Sequence, residues 1–218
     1  MSNQNILLLH DIDLKSGFQG SNAKKYKIKK EKLLKILSFL NRKSIILSFD
    51  DGGSSINYRF LKPLCELYEI YVFVPTKYID NPNFLTTREI IELSKSKVII
   101  GSHSHSHLNF LDKDVSLDFR SDWLLSKKKL EKLINKKVTS CSIPYGIYND
   151  SHISILKDMG FEKIMTSDPP TRINKTNIQP RIALDNRFYY FEFLFLKLFK
   201  IKYLIFRVKL FKYFKSKL

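Results

Sequence analysis

Two short runs in this chain carry residue types that do chemistry: Ser48-Phe49-Asp50-Asp51-Gly52 and, further along, His103-Ser104-His105-Ser106-His107. Adjacent carboxylates repel each other unless a cation or a proton intervenes. A divalent ion held by one of them stabilises both ionised forms and leaves the other to act as a base. His103 and His107 are separated by one helical turn's spacing and share a face if their segment opens a helix, close enough to grip one ion. One Asp and two His with an open position is the ligand set of a catalytic zinc site, where the metal lowers the pKa of bound water and polarises a carbonyl. His105 points away in such a turn and is not expected to be a ligand, while Ser104 is small and polar, suited to hydrogen-bonding a tight loop. Taken singly, Asp50-Asp51-Gly52 is also the composition of a solvated turn, and the histidines that of a loose metal-binding tract. The metal reading rests on the two runs together.

These positions need a scaffold to bring them together. Apolar runs at 6–9, 44–49, 70–74, 98–100, 138–143 and 163–166 read as buried strands, the fourth ended by Gly101. Helical patterns lie near 32–41, 58–68, 86–94, 118–134 and 151–159, with Thr86 or Thr87 as a cap and Gly160 as a stop. Pro63 interrupts the second of these and is expected to shift its start. Strands alternating with helices predict an α/β fold with a parallel sheet. Function in that class sits at the carboxyl ends of strands. His10, Asp50, Asp51, His103, His107 and Tyr145 all fall just past predicted strand ends.

In order and spacing, the two runs and a third, Ser142-Ile143-Pro144-Tyr145-Gly146, resemble the motifs of the NodB-type polysaccharide deacetylases, carbohydrate esterase family four. The stretches before Tyr71-Val72-Phe73-Val74 and before the Pro-Tyr-Gly turn look similar too, so that the resemblance spans roughly residues 6–184. It implies a distorted (β/α) barrel of about seven parallel strands that hydrolyses N-acetyl groups on amino sugars. It also implies that Asp51, His103 and His107 bind zinc or a similar divalent ion, with Asp50 as the general base that activates water. The Tyr145 backbone N–H would help hold the tetrahedral oxyanion. The family's third motif usually begins with an Arg that orients the base. Here Ser142 stands in that place, so Asp50 is expected to lack a positive neighbour and to have its pKa set mainly by the metal. The family's general acid is a His in a Leu-x-His motif near the C-terminus, whereas residues 150–218 contain only His152 and no such motif. In the subgroup of biofilm poly-N-acetylglucosamine deacetylases the motif order is circularly permuted and the acid lies on the first strand. Leu9-His10-Asp11 resembles that arrangement, which makes His10 the expected donor to the leaving amine. Arg181 matches a position that is often Arg in this subgroup, and it reads either as a hold on Asp50 or the substrate or as a surface salt bridge. Trp123 reads as a core residue in preference to an exposed platform for sugar.

The net charge of +17 implies an anionic partner. It is concentrated in residues 187–218, where nine Lys/Arg stand against Glu192 among interleaved aromatic and aliphatic residues. This divides the chain into a deacetylase-like domain, residues 1–186, and a basic, hydrophobic helical tail, residues 187–218. No uncharged run there reaches the about 20 residues that span a bilayer. The tail therefore reads as an interfacial segment whose aliphatics enter anionic lipid while lysines snorkel. A helical cap over the barrel or a partner-binding helix pair is the other reading, and nucleic acid is the weakest of the partners considered. Cys65 and Cys141 are expected to be buried free thiols. The first residues lack the basic and apolar regions of a signal peptide, which predicts a cytoplasmic protein, peripheral at the inner membrane face. The combined expectation is a metal-dependent hydrolase removing N-acetyl or similar acyl groups from an amino-sugar glycan or a lipid-linked glycan precursor. The alternative is a non-catalytic, deacetylase-like binding protein that uses its basic tail on anionic lipid or nucleic acid.

Overall fold

Parallel strands cannot be joined by tight turns, so each crossover must carry a longer connection, usually a helix. The computed structural model of the protein describes residues 4–112, 118–170, 177–187 and 192–215. Strands β1 (Asn5–Leu9), β2 (Ile45–Phe49), β3 (Glu69–Val74), β4 (Val98–Ser102), β5 (Ser140–Ser142) and β6 (Lys163–Met165) follow one another along the chain. Between them run α1 (Ser21–Tyr26) and α2 (Lys30–Ser38), then α3 (Tyr58–Cys65), α4 (Thr87–Ser94), α5 (Phe119–Ile134) and α6 (Asp150–Asp158). Two short strands, β7 (Ile178–Gln179) and β8 (Ile182–Ala183), precede the C-terminal helices α7 (Glu192–Phe199) and α8 (Ile201–Lys215). Thr86 caps α4 in a reciprocal box with Glu89, and α3 starts at Tyr58 despite Pro63. Helix α1 and strands β7 and β8 are too short to leave a periodic signal in the sequence.

All strand pairings are parallel, in the order β7-β6-β5-β4-β3-β2-β1-β8. Only Pro180 and Arg181 separate β7 from β8, yet β7 pairs with β6 and β8 pairs with β1, at opposite edges of the sheet. Residues 178–183 thus form one extended stave that leaves one edge and joins the other. Counted once, this stave turns the eight-stranded order into a seven-stave distorted (β/α) barrel. Proline has no N–H to offer a ladder, so Pro180 suits the point where the stave changes partners.

Side chains alternate along each strand, which gives the barrel an outer and an inner row. Leu7, Leu9, Leu47, Phe49, Ile70 and Val72 face outward and join the helices in the main core. Ile6, Ile46, Tyr71, Phe73 and Met165 face inward and form a second, smaller core. The inner row of β2 runs from Ile46 through Ser48 to Asp50, from apolar filling to a polar layer. A Cβ on Gly101 would lie 2.4 Å from the Phe73 ring and 2.9 Å from the Ser140 carbonyl oxygen. The Phe73 ring fills that space, so glycine here admits a neighbour and does not end the strand: β4 continues through it to Ser102.

The tail's helices pack on the barrel. Leu196 and Leu204 are fully buried, and the Arg207 Nε donates to Glu192 Oε1 (2.7 Å) while its Nη2 donates to Asp185 Oδ1 (3.3 Å). Tail residues 188–191 and 216–218 lie outside the described residues. No helix among the described residues is long and apolar enough to cross a membrane. Cys65 and Cys141 are buried free thiols.

Gly101→Ala is expected to cost about 1–3 kcal/mol by overpacking. Urea unfolding would measure it, and an unchanged midpoint would show that Phe73 yields freely.

Candidate active site

Asp50 prolongs the β1–β2 ladder, its N–H donating to the Leu9 carbonyl at 2.9 Å, and so its side chain falls on the inner row. Arg181 meets it from the closing stave. Its Nη1 donates to Asp50 Oδ1 and its Nη2 to Oδ2, each at 2.8 Å. The remaining guanidinium N–H groups reach Ser48 Oγ (3.2 Å), Ser142 Oγ (2.8 Å) and the Thr166 carbonyl (2.9 Å), so that all five donors find acceptors. The Ser142 hydroxyl in turn donates to Asp50 Oδ2 at 2.8 Å. Complete pairing of this kind is the condition under which an ion pair can be buried. Burial alone would raise the Asp50 pKa, but the nearby Arg181 and His103 outweigh it and hold the carboxyl below its usual range. The expectation that Ser142 leaves Asp50 without a positive neighbour is therefore corrected. Topology carries residue 181 across the barrel, and the small Ser142 leaves it room. Of the two readings of Arg181, the surface salt bridge is excluded because the residue is 0% exposed.

Asp51 is turned away from Asp50 by a left-handed backbone, φ 73°. Ser104, His107 and Tyr145 share that conformation, with φ 62°, 55° and 61°. Each such residue costs of order 1–3 kcal/mol, so the surrounding structure must hold them there. Asp51 Oδ1 lies 3.3 Å from His103 Nε2 and 3.2 Å from His107 Nε2. One ligand atom from each residue falls within 4.8 Å of the others. His103 Nδ1 sits 2.7 Å from the Ser142 carbonyl, which can only accept, so Nδ1 carries a proton and Nε2 faces Asp51. Two imidazole nitrogens aimed at one carboxylate oxygen need protons or a cation between them, and this donor set fits zinc. The pKa directions agree. Burial would raise Asp51, yet His10, His103 and His107 hold it well below the usual carboxylate range. Burial would lower His103, yet Asp50 and Asp51 raise it.

Residues 103–107 form an irregular turn and not the opening of a helix. Ser104 Oγ accepts from the His107 N–H at 2.9 Å and closes that turn. Asp122 on α5 accepts from the N–H groups of His105 (2.9 Å) and Ser106 (3.1 Å), anchoring the loop from below. His105 faces away, its Nδ1 2.8 Å from Thr76 Oγ1. Trp123 is fully buried, in keeping with a core role.

His10 follows β1, half-buried, with its ring 5.3 Å from that of Tyr26. Its Nδ1 is buried without a hydrogen-bond partner among the described residues. Burial lowers its pKa, and Asp51 and Asp50 offset part of that fall. The Tyr145 side chain is exposed, with its ring 4.9 Å from His107. Phe18 lies 4.5 Å from the same imidazole and packs against Tyr78 and Phe84. This aromatic rim has no signature in the sequence, because no spacing links residues 18, 78 and 84. Ser48 did leave a signal, as a lone hydroxyl within an apolar strand.

The family model for polysaccharide deacetylase matches residues 39–164, more than half the chain, and the protein belongs to that family. Its members are hydrolases of N-acetyl amide bonds. The matched range includes Asp50, Asp51, His103, His107 and Tyr145, while His10 and Arg181 lie outside it. No curated protein matches the sequence. Among solved structures, IcaB from Ammonifex degensii aligns with a TM-score of 0.67 at 16% identity, over 90% of this chain and 98% of that one. BC0361, a polysaccharide deacetylase from Bacillus cereus, aligns with a TM-score of 0.67 at 18% identity, over 89% and 68%. The deacetylase PplD from Streptococcus pyogenes, solved in complex with acetate, gives 0.65 at 19% identity, over 89% and 97%. At these identities the likeness is one of fold.

Arg181→Met leaves the Asp50 charge buried and unpaired and is expected to cost about 3–5 kcal/mol in urea unfolding. Ser142→Ala removes one hydrogen bond from the pair and should cost about 1–2 kcal/mol. Because the Asp50 pKa is depressed on folding, its contribution is present above the unfolded value of 3.8 and is lost as pH falls below it. Arg181→Met should remove that acid-side loss. A cost under about 1 kcal/mol at pH 7 would contradict a buried, fully paired arginine.

Proposed function

We propose that the protein is a metal-dependent deacetylase of an amino-sugar glycan, with Asp50 as general base, His10 as general acid, and Asp51, His103 and His107 as ligands of a divalent ion, zinc by donor type. The reading is carried by the unequal surroundings of two neighbouring carboxylates. Asp50 is clamped by Arg181 and Ser142, whereas Asp51 faces two imidazoles. A cation bound there would supply Lewis acidity, polarising the amide carbonyl and acidifying water.

The rest falls to the chain's own groups. Arg181 keeps Asp50 ionised, so the carboxylate is ready to take a proton from the attacking water. The clamp fills both accepting sites of Asp50 Oδ2, with Arg181 Nη2 and the Ser142 hydroxyl, and one on Oδ1, so the remaining Oδ1 lone pair is the one fixed in place to accept a proton. His103 Nε2 stands 3.9 Å from Asp50 Oδ2, which sets the base directly beside the ligand set. The Tyr145 N–H, in a turn twisted by its left-handed backbone, would stabilise the oxyanion of the tetrahedral intermediate. His10 would protonate the departing amine. Burial destabilises its imidazolium, so a proton carried there passes readily to the amine as the C–N bond breaks, leaving acetate and a free amino sugar. The flat faces of Phe18 and Tyr145 beside His107 suit a sugar ring. A lipid-linked precursor presented at the inner membrane face is the form of substrate we favour, and that preference rests on the basic tail. The rival, a binding protein without turnover, drew its weight from the missing arginine at Ser142, and Arg181 removes that ground.

Acetate release from N-acetylglucosamine oligomers by the zinc-loaded protein tests the proposal. Asp50→Asn should lower kcat by about 10²–10⁴-fold while zinc binding by calorimetry persists. His107→Ala should lose zinc binding itself. A wild-type protein inert on these oligomers and on formylated analogues, with Asp50→Asn indistinguishable from it, would refute the assignment.

A further inference from the structure

The C-terminal helix pair is apolar on two faces. One face is spent on the barrel, where Leu196, Leu204 and the Arg207–Glu192 pair are buried. On the other, α7 turns Leu194, Phe195, Leu198 and Phe199 to solvent at 43–63% exposure, as two i, i+4 pairs. Phe206 and Leu210 on α8 are exposed as well. Lys197, Lys200, Lys202 and Lys209 stand exposed among them, and no Asp or Glu occurs anywhere in residues 193–218. Six large apolar side chains on one small element form the kind of patch that a soluble surface does not keep without a partner.

The partner must admit apolar side chains and carry negative charge. A second copy of the same face would set lysine against lysine, with no carboxylate to relieve them. We propose that the outer face of α7 and α8 is a docking surface for an anionic phospholipid membrane. Leu194, Leu198, Phe199 and Phe206 would enter the boundary between headgroups and acyl chains, while the lysines extend along it to lipid phosphates. Among the described residues neither helix is long and apolar enough to span the bilayer, so the docking proposed for this face lies along the membrane surface. Because Arg207 bonds both Glu192 and Asp185, the helices are fixed to the barrel, and docking would hold the whole protein at the surface. The proposal does not depend on the chemistry at the barrel mouth.

Sedimentation of the full chain with vesicles tests it without metal or substrate. Binding is expected to phosphatidylcholine vesicles containing phosphatidylglycerol, and not to phosphatidylcholine alone. Each lysine near such a surface is worth about fivefold, so Lys197→Glu, Lys200→Glu and Lys202→Glu together should weaken binding by about a hundredfold or more. Leu194→Asp with Leu198→Asp should also abolish it, and both variants should keep the wild-type thermal unfolding curve, since they alter only solvent-facing positions. Failure of the wild type to bind the anionic vesicles, or equal binding by wild type and both variants, would overturn the proposal. So would a wild-type dimer in light scattering that Leu194→Asp with Leu198→Asp disperses, since a second copy would then cover the face.

Discussion

Burying the Asp50 carboxylate inside a barrel costs several kcal/mol unless its charge is matched and its lone pairs are satisfied. The chain meets this need with the last stave it adds. Residues 178–183 leave β6, cross to β1, and deliver Arg181 to the carboxylate at the crossing point. Ser48 and Ser142 complete the polar layer, and Phe73 lies beneath, its ring 5.9 Å from the guanidinium carbon. Closure of the fold and ionisation of Asp50 are therefore one event: the edge that seals the sheet also carries the counter-charge.

With Asp50 held, its neighbour can differ from it. A left-handed residue at 51 sends the second carboxylate toward the imidazoles, and further left-handed residues at 104 and 107 shape the loop that presents them. Such backbone is costly, and it persists because Asp122 and Ser104 bond the loop's N–H groups. Strain and anchoring bonds coincide at the same few residues of the candidate site, which the surrounding structure must over-determine.

Much of this was legible beforehand. Continuous apolar runs mark strands buried on both faces, and the polar residues that end them mark the mouth of the site. One Asp and two His as a candidate ligand set follow from residue type and spacing, while the choice of Asp51 over Asp50 comes from the resemblance to the deacetylase motifs. Strands β7 and β8 were not legible, because two residues each leave no periodicity to detect. Arg181 consequently kept two readings, since whether an arginine is buried against Asp50 depends on which edges a short stave joins. Gly101 read as a stop because its meaning lies in Phe73 on another strand. Asp122 and the rim of Phe18, Tyr78 and Phe84 were invisible for the same reason, as their roles exist only across elements distant in sequence. In the tail, composition indicated apolar and basic character, while only packing shows which apolar residues serve the barrel and which face outward.

The central claim is that one carboxylate is reserved for a cation and its neighbour for a proton. An anomalous difference map from zinc-soaked crystals tests this most directly. A single strong peak bounded by Asp51, His103 and His107, with Asp50 still paired to Arg181, is the predicted result. A peak that recruits Asp50 away from Arg181, or no peak among these side chains at saturating zinc, would contradict it.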